Sequence, residues 1–215
     1  MTFLQIVNKV LIRLREDQVD SSASDEYATL IADLLNETIR EVQEAWHWNA
    51  LRTTIDLPVV ADTFRYSLID TVYNSKILSV IDDTNDIKLR QLSPNAMSEK
   101  FLTNDTNYTA QPLYWSLNGI DTNDNMLIDI WPIPDAARTI LVDVKIPQGL
   151  VTVDSTEIIG SPMMYILGTY AKAIQERGED MGDNLRYAEQ RYQLALSDAI
   201  AMDVANSGDN LDWHY

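Results

Sequence analysis

The longest helical pattern in the chain runs from Asp25 to Trp48, a stretch that contains neither glycine nor proline. Its apolar residues recur three or four positions apart, which is the spacing of a helix with one buried stripe. They are Tyr27, Leu30, Ile31, Leu34, Leu35, Ile39, Val42, Ala45 and Trp46. The oxygens of Ser21, Ser22 and Ser24 can cap its first amide groups. We expect this helix to be the central element of a bundle.

The same helical period appears near both ends of the chain. Residues 3–15 form a first helical pattern, and the short polar link to the central helix predicts an antiparallel pair. Ser161-Pro162 opens a third helix that ends near Gly178, because proline is favoured in the first turn. Asp183 opens a fourth helix that continues to about Asn206.

Residues between these helical ends alternate in polarity and predict strands. The strand-like runs are 53–59, 64–68, 76–82, 87–91, 113–117, 126–131 and 138–146. The last run places Ile140, Val142 and Val144 on one face, which is typical of a half-buried antiparallel strand. Pro94 begins a short helix to about Leu102, and the polar stretch from Asn104 to Gln111 is interpreted as an exposed loop.

Together these patterns predict an α+β protein, a helical bundle built from N- and C-terminal helices with an inserted antiparallel β region. Residues 1–52 and 155–207 are assigned to the bundle, residues 53–154 to the inserted β-rich domain and residues 208–215 to a C-terminal arm. The arm shows no pattern that would bury it, so it either docks on a partner or folds back on its own chain.

Two tryptophans mark the boundary between the central helix and the first strand. Trp46 and Trp48 flank His47 at the point where the helical period stops. An indole buries a large apolar area, so a pair of them can fix whatever follows the helix. We interpret Trp46 and Trp48 as the joint between the bundle and the sheet.

The charge of the chain argues against direct binding to nucleic acid. It has 33 acidic and 16 basic side chains, which gives a formal net charge of -17. Binding to the DNA backbone requires lysines and arginines that replace counterions, and here they are few and scattered. An acidic surface suits a different task, because it can line a passage through which DNA must move without being held.

The sequence offers little material for catalysis, metal binding or membrane insertion. There is no cysteine, and the two histidines, His47 and His214, form no pair at ligand spacing. Residues 121–125 resemble the start of a calcium loop, but Met126 and Pro132 stand where glycine and glutamate are needed. We expect no catalytic residues, no metal, no cofactor and no enzyme activity. The first residues lack signal-peptide character and no run is long enough to span a bilayer, so a soluble, non-exported chain is expected.

The order of several weak motifs resembles the head-to-tail adaptor (connector) proteins of tailed bacteriophages, including the tail tubular protein A group. The motifs are Trp46–Asn49, Leu57–Val59, Pro112–Tyr114, Ile130–Pro134, Thr139–Lys145 and Pro162–Tyr165. The resemblance implies a structural virion protein that joins the capsid portal to the tail and continues the DNA channel. It implies a homo-oligomeric ring, commonly dodecameric, in the neck of the virion, assembled in the host cytoplasm.

The resemblance also implies roles for particular residues and partners. A portal-anchoring tail would comprise Leu211, Asp212, Trp213, His214 and Tyr215. The loops at 82–86, 104–111 and 121–125 would reach the next ring or the adjacent subunit. The portal protein and the tail (nozzle) protein would be partners, and DNA would pass without specific binding. Within the same class, a tail terminator or stopper ring is the alternative. Outside it, the alternatives are a nucleic-acid-binding DNA-packaging factor and an acid-catalysed hydrolase.

Overall fold

The computed structural model describes residues 1–103, 108–178 and 182–206, and these form a mixed α+β protein. Its helices are α1 (Phe3–Arg13), α2 (Glu26–Ala45), α3 (Pro94–Thr103), α4 (Pro162–Arg177) and α5 (Asp183–Asn206), with a short 3-10 helix at Asn49–Leu51. Its strands are β1 (Arg52–Val59), β2 (Arg65–Leu68), β3 (Lys76–Asp82), β4 (Ile87–Lys88), β5 (Arg90–Gln91), β6 (Thr109–Ala110), β7 (Tyr114–Ile120), β8 (Met126–Trp131), β9 (Ile133–Pro134) and β10 (Arg138–Lys145).

The chain divides into two compact units. A helical unit contains Met1–Leu51 and the chain from Gln148 onward, and a β unit contains Arg52–Pro147. The sequence placed residues 148–154 with the β-rich domain, whereas the structure groups them with the helices. Two amide side chains of α2 explain the difference. Asn36 pairs with both backbone groups of Val151, and the Gln43 carbonyl oxygen accepts the backbone N–H of Gln148 at 2.7 Å.

One apolar core occupies the helical unit and draws on helices from both ends of the chain. Its fully buried members include Phe3, Ile6, Val7, Val10 and Leu11 from α1, Ile31, Leu35, Ile39 and Val42 from α2, and Met164 and Tyr165 from α4. Burying one such side chain stabilises the fold by roughly 1.5–3 kcal/mol. Burial also raises the pKa of the Tyr165 hydroxyl to about 12, so the group stays protonated and donates to the Ile159 carbonyl.

The caps of α2 differ from those expected. Asp25, rather than Ser21, Ser22 or Ser24, caps the helix, since its carboxylate accepts the Ala28 N–H at 2.7 Å. A carboxylate also interacts favourably with the positive end of the helix dipole, which a serine hydroxyl does only weakly. The helix ends at Ala45, and the extended backbone of Trp46 (φ −147°, ψ 163°) stops it before the predicted Trp48.

The β unit contains two four-stranded sheets around a shared core. The first has the order β1-β10-β3-β4 and is antiparallel throughout, and the second has the order β2-β8-β7-β5. Leu57, Val80, Ile140 and Val142 from the first sheet meet Leu68, Trp115, Ile128 and Ile130 from the second in one apolar cluster. The side chains of Asp82 and Arg138 are almost completely buried in this unit and form an ion pair at 3.1 Å.

The prediction of a purely antiparallel β region is wrong in two places. β5 pairs with β7 in parallel, and the two-residue strands β6 and β9 are also parallel. The second pair includes Thr109 and Ala110, so these residues do not belong to an exposed loop as predicted. Residues 104–107 of that predicted loop lie outside the described residues.

Candidate assembly site

The last helix of the helical unit, α5, leaves most of its surface uncovered. It has 24 residues without glycine or proline, so it is roughly 36 Å long at 1.5 Å per residue. Ala188 and Tyr192 are its only buried residues. A long helix that buries so few side chains presents a large face on which a partner could pack.

Large apolar side chains lie on this uncovered face. Tyr187, Leu194 and Met202 are 62%, 64% and 68% exposed. They are spaced seven and eight residues apart, which places them on one side of the helix. Leu194 also borders a shallow groove with Leu196 and Ile200. Three exposed apolar side chains on one side of a helix mark a candidate protein–protein contact surface.

The opposite side of α5 packs tightly against α2 and α4. A Cβ added to Gly168 of α4 would lie 2.6 Å from the Thr38 Cγ2 and 2.9 Å from the Tyr192 Cε2, so the glycine permits a close approach of three helices. The Tyr192 hydroxyl donates to the Glu41 carboxylate at 3.0 Å. Burial raises the pKa of Tyr192, and the charge of Glu41 raises it further, so the hydroxyl keeps its proton.

The far end of α5 is fixed by Asp203. Its carboxylate accepts the Trp46 indole N–H at 3.1 Å and the Asn49 side-chain amide at 3.2 Å. The neighbouring Trp48 is buried, and its indole N–H donates to the Val42 carbonyl at 2.7 Å, where the last turn of α2 would otherwise lack a donor. Both indoles therefore have defined partners inside the helical unit. Their role as a joint to the sheet stays a prediction.

The acidic turn at residues 121–125 uses its charges to order itself. The Asp121 carboxylate accepts the Ser67 hydroxyl at 2.6 Å and the backbone N–H groups of Asn123 and Asn125 at 2.7 and 3.0 Å. The Ser67 hydrogen bond and these backbone donors lower the pKa of Asp121 to about 2. The geometry is that of a hairpin turn between β7 and β8, which agrees with the turn interpretation of this segment.

The turn at 82–86 is built in the same way. The buried Asp82 carboxylate accepts the Thr84 N–H at 3.0 Å and the Asn85 side-chain amide at 2.8 Å. Residues 83–86 are exposed beyond it. In both turns the hydrogen bonds to one aspartate hold the backbone in place, and the polar residues at the end of the turn are exposed. Such a turn is suited to contact with another protein.

Within residues 1–103, 108–178 and 182–206, the side chains form no group of three or more metal-ligating residues. In the same part of the chain, no helix combines the length and the apolar character needed to cross a bilayer.

One family match covers the β unit and nearly all of the helical unit. Residues 1–212 match the family model described as SU10 adaptor protein. The chain belongs to the SU10 adaptor protein family. This confirms the resemblance to phage head-to-tail adaptors and identifies the chain as a structural adaptor protein of a phage. No curated protein matches the adaptor at a significant level.

The predicted portal anchor of the adaptor lies beyond the described part of the chain. Leu211, Asp212, Trp213, His214 and Tyr215 all lie outside the described residues. The uncovered face of α5 was not predicted, because the helical period of residues 183–206 indicated only that the helix belongs to the bundle. One signal in the sequence could have indicated this face. Apolar residues occur on more than one side of α5, and a helix of that kind packs against two different surfaces.

Proposed function

We propose that this adaptor forms a homo-oligomeric ring, commonly a dodecamer, between the capsid portal and the tail, and that the ring continues the DNA channel. The observation that carries the proposal is the uncovered apolar face of α5 in a chain matched to the adaptor family over both units. In the ring, the helices from both chain ends form one bundle, and the α5 face contacts the neighbouring subunit. The adaptor would lie in the neck of the virion after assembly in the host cytoplasm.

The size of α5 limits the area that this helix can contribute to a contact between subunits. A helix face roughly 36 Å long and 10 Å wide covers roughly 360 Å². A stable interface buries about 800 Å² on each partner. The α5 face therefore supplies about half of what one subunit contact needs, and further surfaces must complete it.

The charge of the adaptor supports a channel that does not hold DNA. The net charge of -17 includes nine acids against three arginines in residues 176–215. Like charges repel within a Debye length of about 8 Å at physiological ionic strength, so DNA that comes close to an acidic wall is repelled by it. An acidic wall would thus keep the phosphate backbone from binding during passage.

The arm at 208–215 and the polar turns supply the remaining contacts in this proposal. Leu211, Trp213 and Tyr215 would anchor the ring in the portal, because aromatic side chains dominate interface energetics. The turns at 82–86 and 121–125 would contact the next subunit or the tail protein. The proposal assigns no catalytic step to the chain.

Electron microscopy of the purified adaptor, alone and mixed with portal particles, tests the proposal. We expect a closed ring on the portal, and a protein that binds tails but never portals would instead be a terminator or stopper ring. Deletion of residues 208–215 should leave the helical circular dichroism signal intact and abolish joining to portals. Unchanged joining by the deletion variant would show that the arm is not the anchor.

A further inference from the structure

A cleft of about 630 Å³ in the helical unit carries an unusual concentration of positive charge. It is lined by the end of α1, by α4 from Leu167 onward and by the first turns of α5. Arg13, Arg15, Arg177 and Arg191 line it, which is four of the ten arginines in a chain of net charge -17. Its wall also includes apolar side chains of α4 such as Leu167 and Ile174.

Three of these four arginines have no carboxylate partner among residues 1–103, 108–178 and 182–206. Arg177 is paired with Glu16 and also donates to the Tyr27 hydroxyl at 2.7 Å. By contrast, the Arg13 guanidinium donates to the Met163 sulfur at 3.9 Å, Arg191 lies 5.8 Å from the centre of the Tyr187 ring, and Arg15 is exposed. In the β unit, Arg52, Arg65 and Arg138 are each paired with an aspartate. The cleft thus holds positive charge that the described part of the chain leaves uncompensated.

The backbone places one of these arginines where another residue would fit better. Arg15 follows the end of α1 with φ +62°, in the left-handed region that favours glycine. The helix end is closed there by the Glu16 N–H, which donates to the Leu11 carbonyl at 3.0 Å. An arginine side chain at this position is costly for the local fold, so its presence at the rim of the cleft supports a role outside that fold.

We infer that this cleft receives carboxylates of a second copy of the same chain, as the cationic half of a head-to-tail contact. The inference rests on the proposed ring. Two clefts facing each other would oppose like charges, so the contact must join the cleft to a different, acidic surface. A contact between two different surfaces closes into a ring when the rotation permits. Guanidinium groups pair with carboxylates through two parallel hydrogen bonds, which gives the contact a fixed geometry.

Charge complementarity selects a second copy over nucleic acid. Each copy carries 33 acidic side chains, so nearly any face of a neighbour offers carboxylates. The wall of the cleft includes apolar side chains, for which a phosphate backbone offers no counterpart. The apolar wall and the exposed Tyr187 further suit a protein segment, because arginine and tyrosine are enriched in the centres of protein interfaces.

Reversal of charge in the cleft, with a matched reversal elsewhere, tests the inference. We would compare R15E/R191E with R40E/R90E, which alters two exposed arginines outside the cleft and changes the net charge equally. Self-association would be measured by sedimentation velocity in free solution, and by occupancy on portal particles, at about 50 and 500 mM salt. We expect at least a tenfold weaker association for R15E/R191E, a change of less than threefold for R40E/R90E, and weakening of the wild type by salt.

The possible results separate this inference from the proposed function. Rings of R15E/R191E that load on portals like the wild type would overturn the cleft contact and leave the ring intact. A wild type that self-associates through the cleft but never joins portals would overturn the proposed function alone. Absence of self-association by the wild type in solution and on portals, or binding of duplex DNA that R15E/R191E abolishes, would overturn the cleft inference.

Discussion

At the scale of single residues, Gly168 shows most clearly how tightly the helical unit is packed. The absence of a Cβ lets α4 approach Thr38 of α2 and Tyr192 of α5 at distances that no side chain could occupy. Alanine is favoured over glycine in a helix by about 1 kcal/mol, so ordinary helix propensity argues for the opposite choice. The packing of three helices outweighs that preference at this position.

Replacement of this glycine should therefore destabilise the fold. For G168A we expect a net loss of up to about 2 kcal/mol, because overpacking costs about 1–3 kcal/mol and the gain in helix propensity offsets only about 1 kcal/mol of it. G149A is the control, since nothing lies within 4 Å of the added Cβ, and its effect should stay within about 0.5 kcal/mol. Urea unfolding followed by circular dichroism measures both, and equal stability of the two variants would contradict the close approach.

Asp121 makes the stability of the β unit dependent on pH. Its folded-state pKa of about 2 lies below the ordinary value of about 3.9, so the charged form is favoured in the fold. The stabilisation is thus fully present above pH ~4 and is lost as the pH falls towards 2. D121N should be less stable than the wild type at pH 7, and the difference should close between pH ~4 and ~2.

The neighbouring Asp124 provides the control for this pH dependence. Asp124 lies in the same exposed turn at φ +62°, a conformation that asparagine also tolerates. Urea midpoints of D124N, measured from pH 7 to pH 2, should run parallel to those of the wild type. A D121N curve that also stayed parallel would mean that the hydrogen bonds to Asp121 add no stability.

At the scale of elements, one side of α5 packs within the helical unit and the other side is available for contact with a partner. The side with Tyr192 holds it to the unit, and the side with Leu194 is left for a partner. L194D should change the free energy of unfolding by less than about 0.5 kcal/mol, because Leu194 is already 64% exposed. It should nevertheless weaken ring formation at least tenfold, as seen by sedimentation velocity or portal occupancy. L102D, at an 83% exposed leucine of α3, is the matched control and should assemble normally.

The elements that were predicted well from the sequence are those in which a helical or alternating pattern continues over many residues or in which one face is buried. The run 76–82 became β3 and 126–131 became β8 with the predicted bounds, because their apolar positions can be satisfied only by a sheet core. The two-residue strands β6 and β9 carry no period, so no pattern could reveal their parallel pairing. The cap of α2 was also missed, since several polar residues precede the helix and only the geometry selects Asp25.

At the scale of the whole molecule, the adaptor family could be recognised from the order of motifs, but the candidate surfaces could not. The arginines of the cleft are separated by more than 160 positions, from Arg13 to Arg177 and Arg191, and no local motif links them. Only the packing of α1, α4 and α5 brings them to one place. The net charge of the chain also gives no indication of these arginines, because it sums a cationic cleft and an acidic remainder.

The paths of the chain into and out of the β unit suggest that this unit is an insertion that can be removed. Arg52 of β1 and Lys145 of β10 are register partners, and such partners lie about 5 Å apart. Replacement of residues 52–147 by a three-residue glycine-serine linker should thus leave a helical protein that unfolds cooperatively, as followed by circular dichroism and by a shift in tryptophan fluorescence. Residues 1–51 alone should not fold, because α1 and α2 then lose the α4 side chains of their common core. An unfolded deletion variant would show that the helices need the sheet, and that the two ends of the chain do not form a self-sufficient bundle.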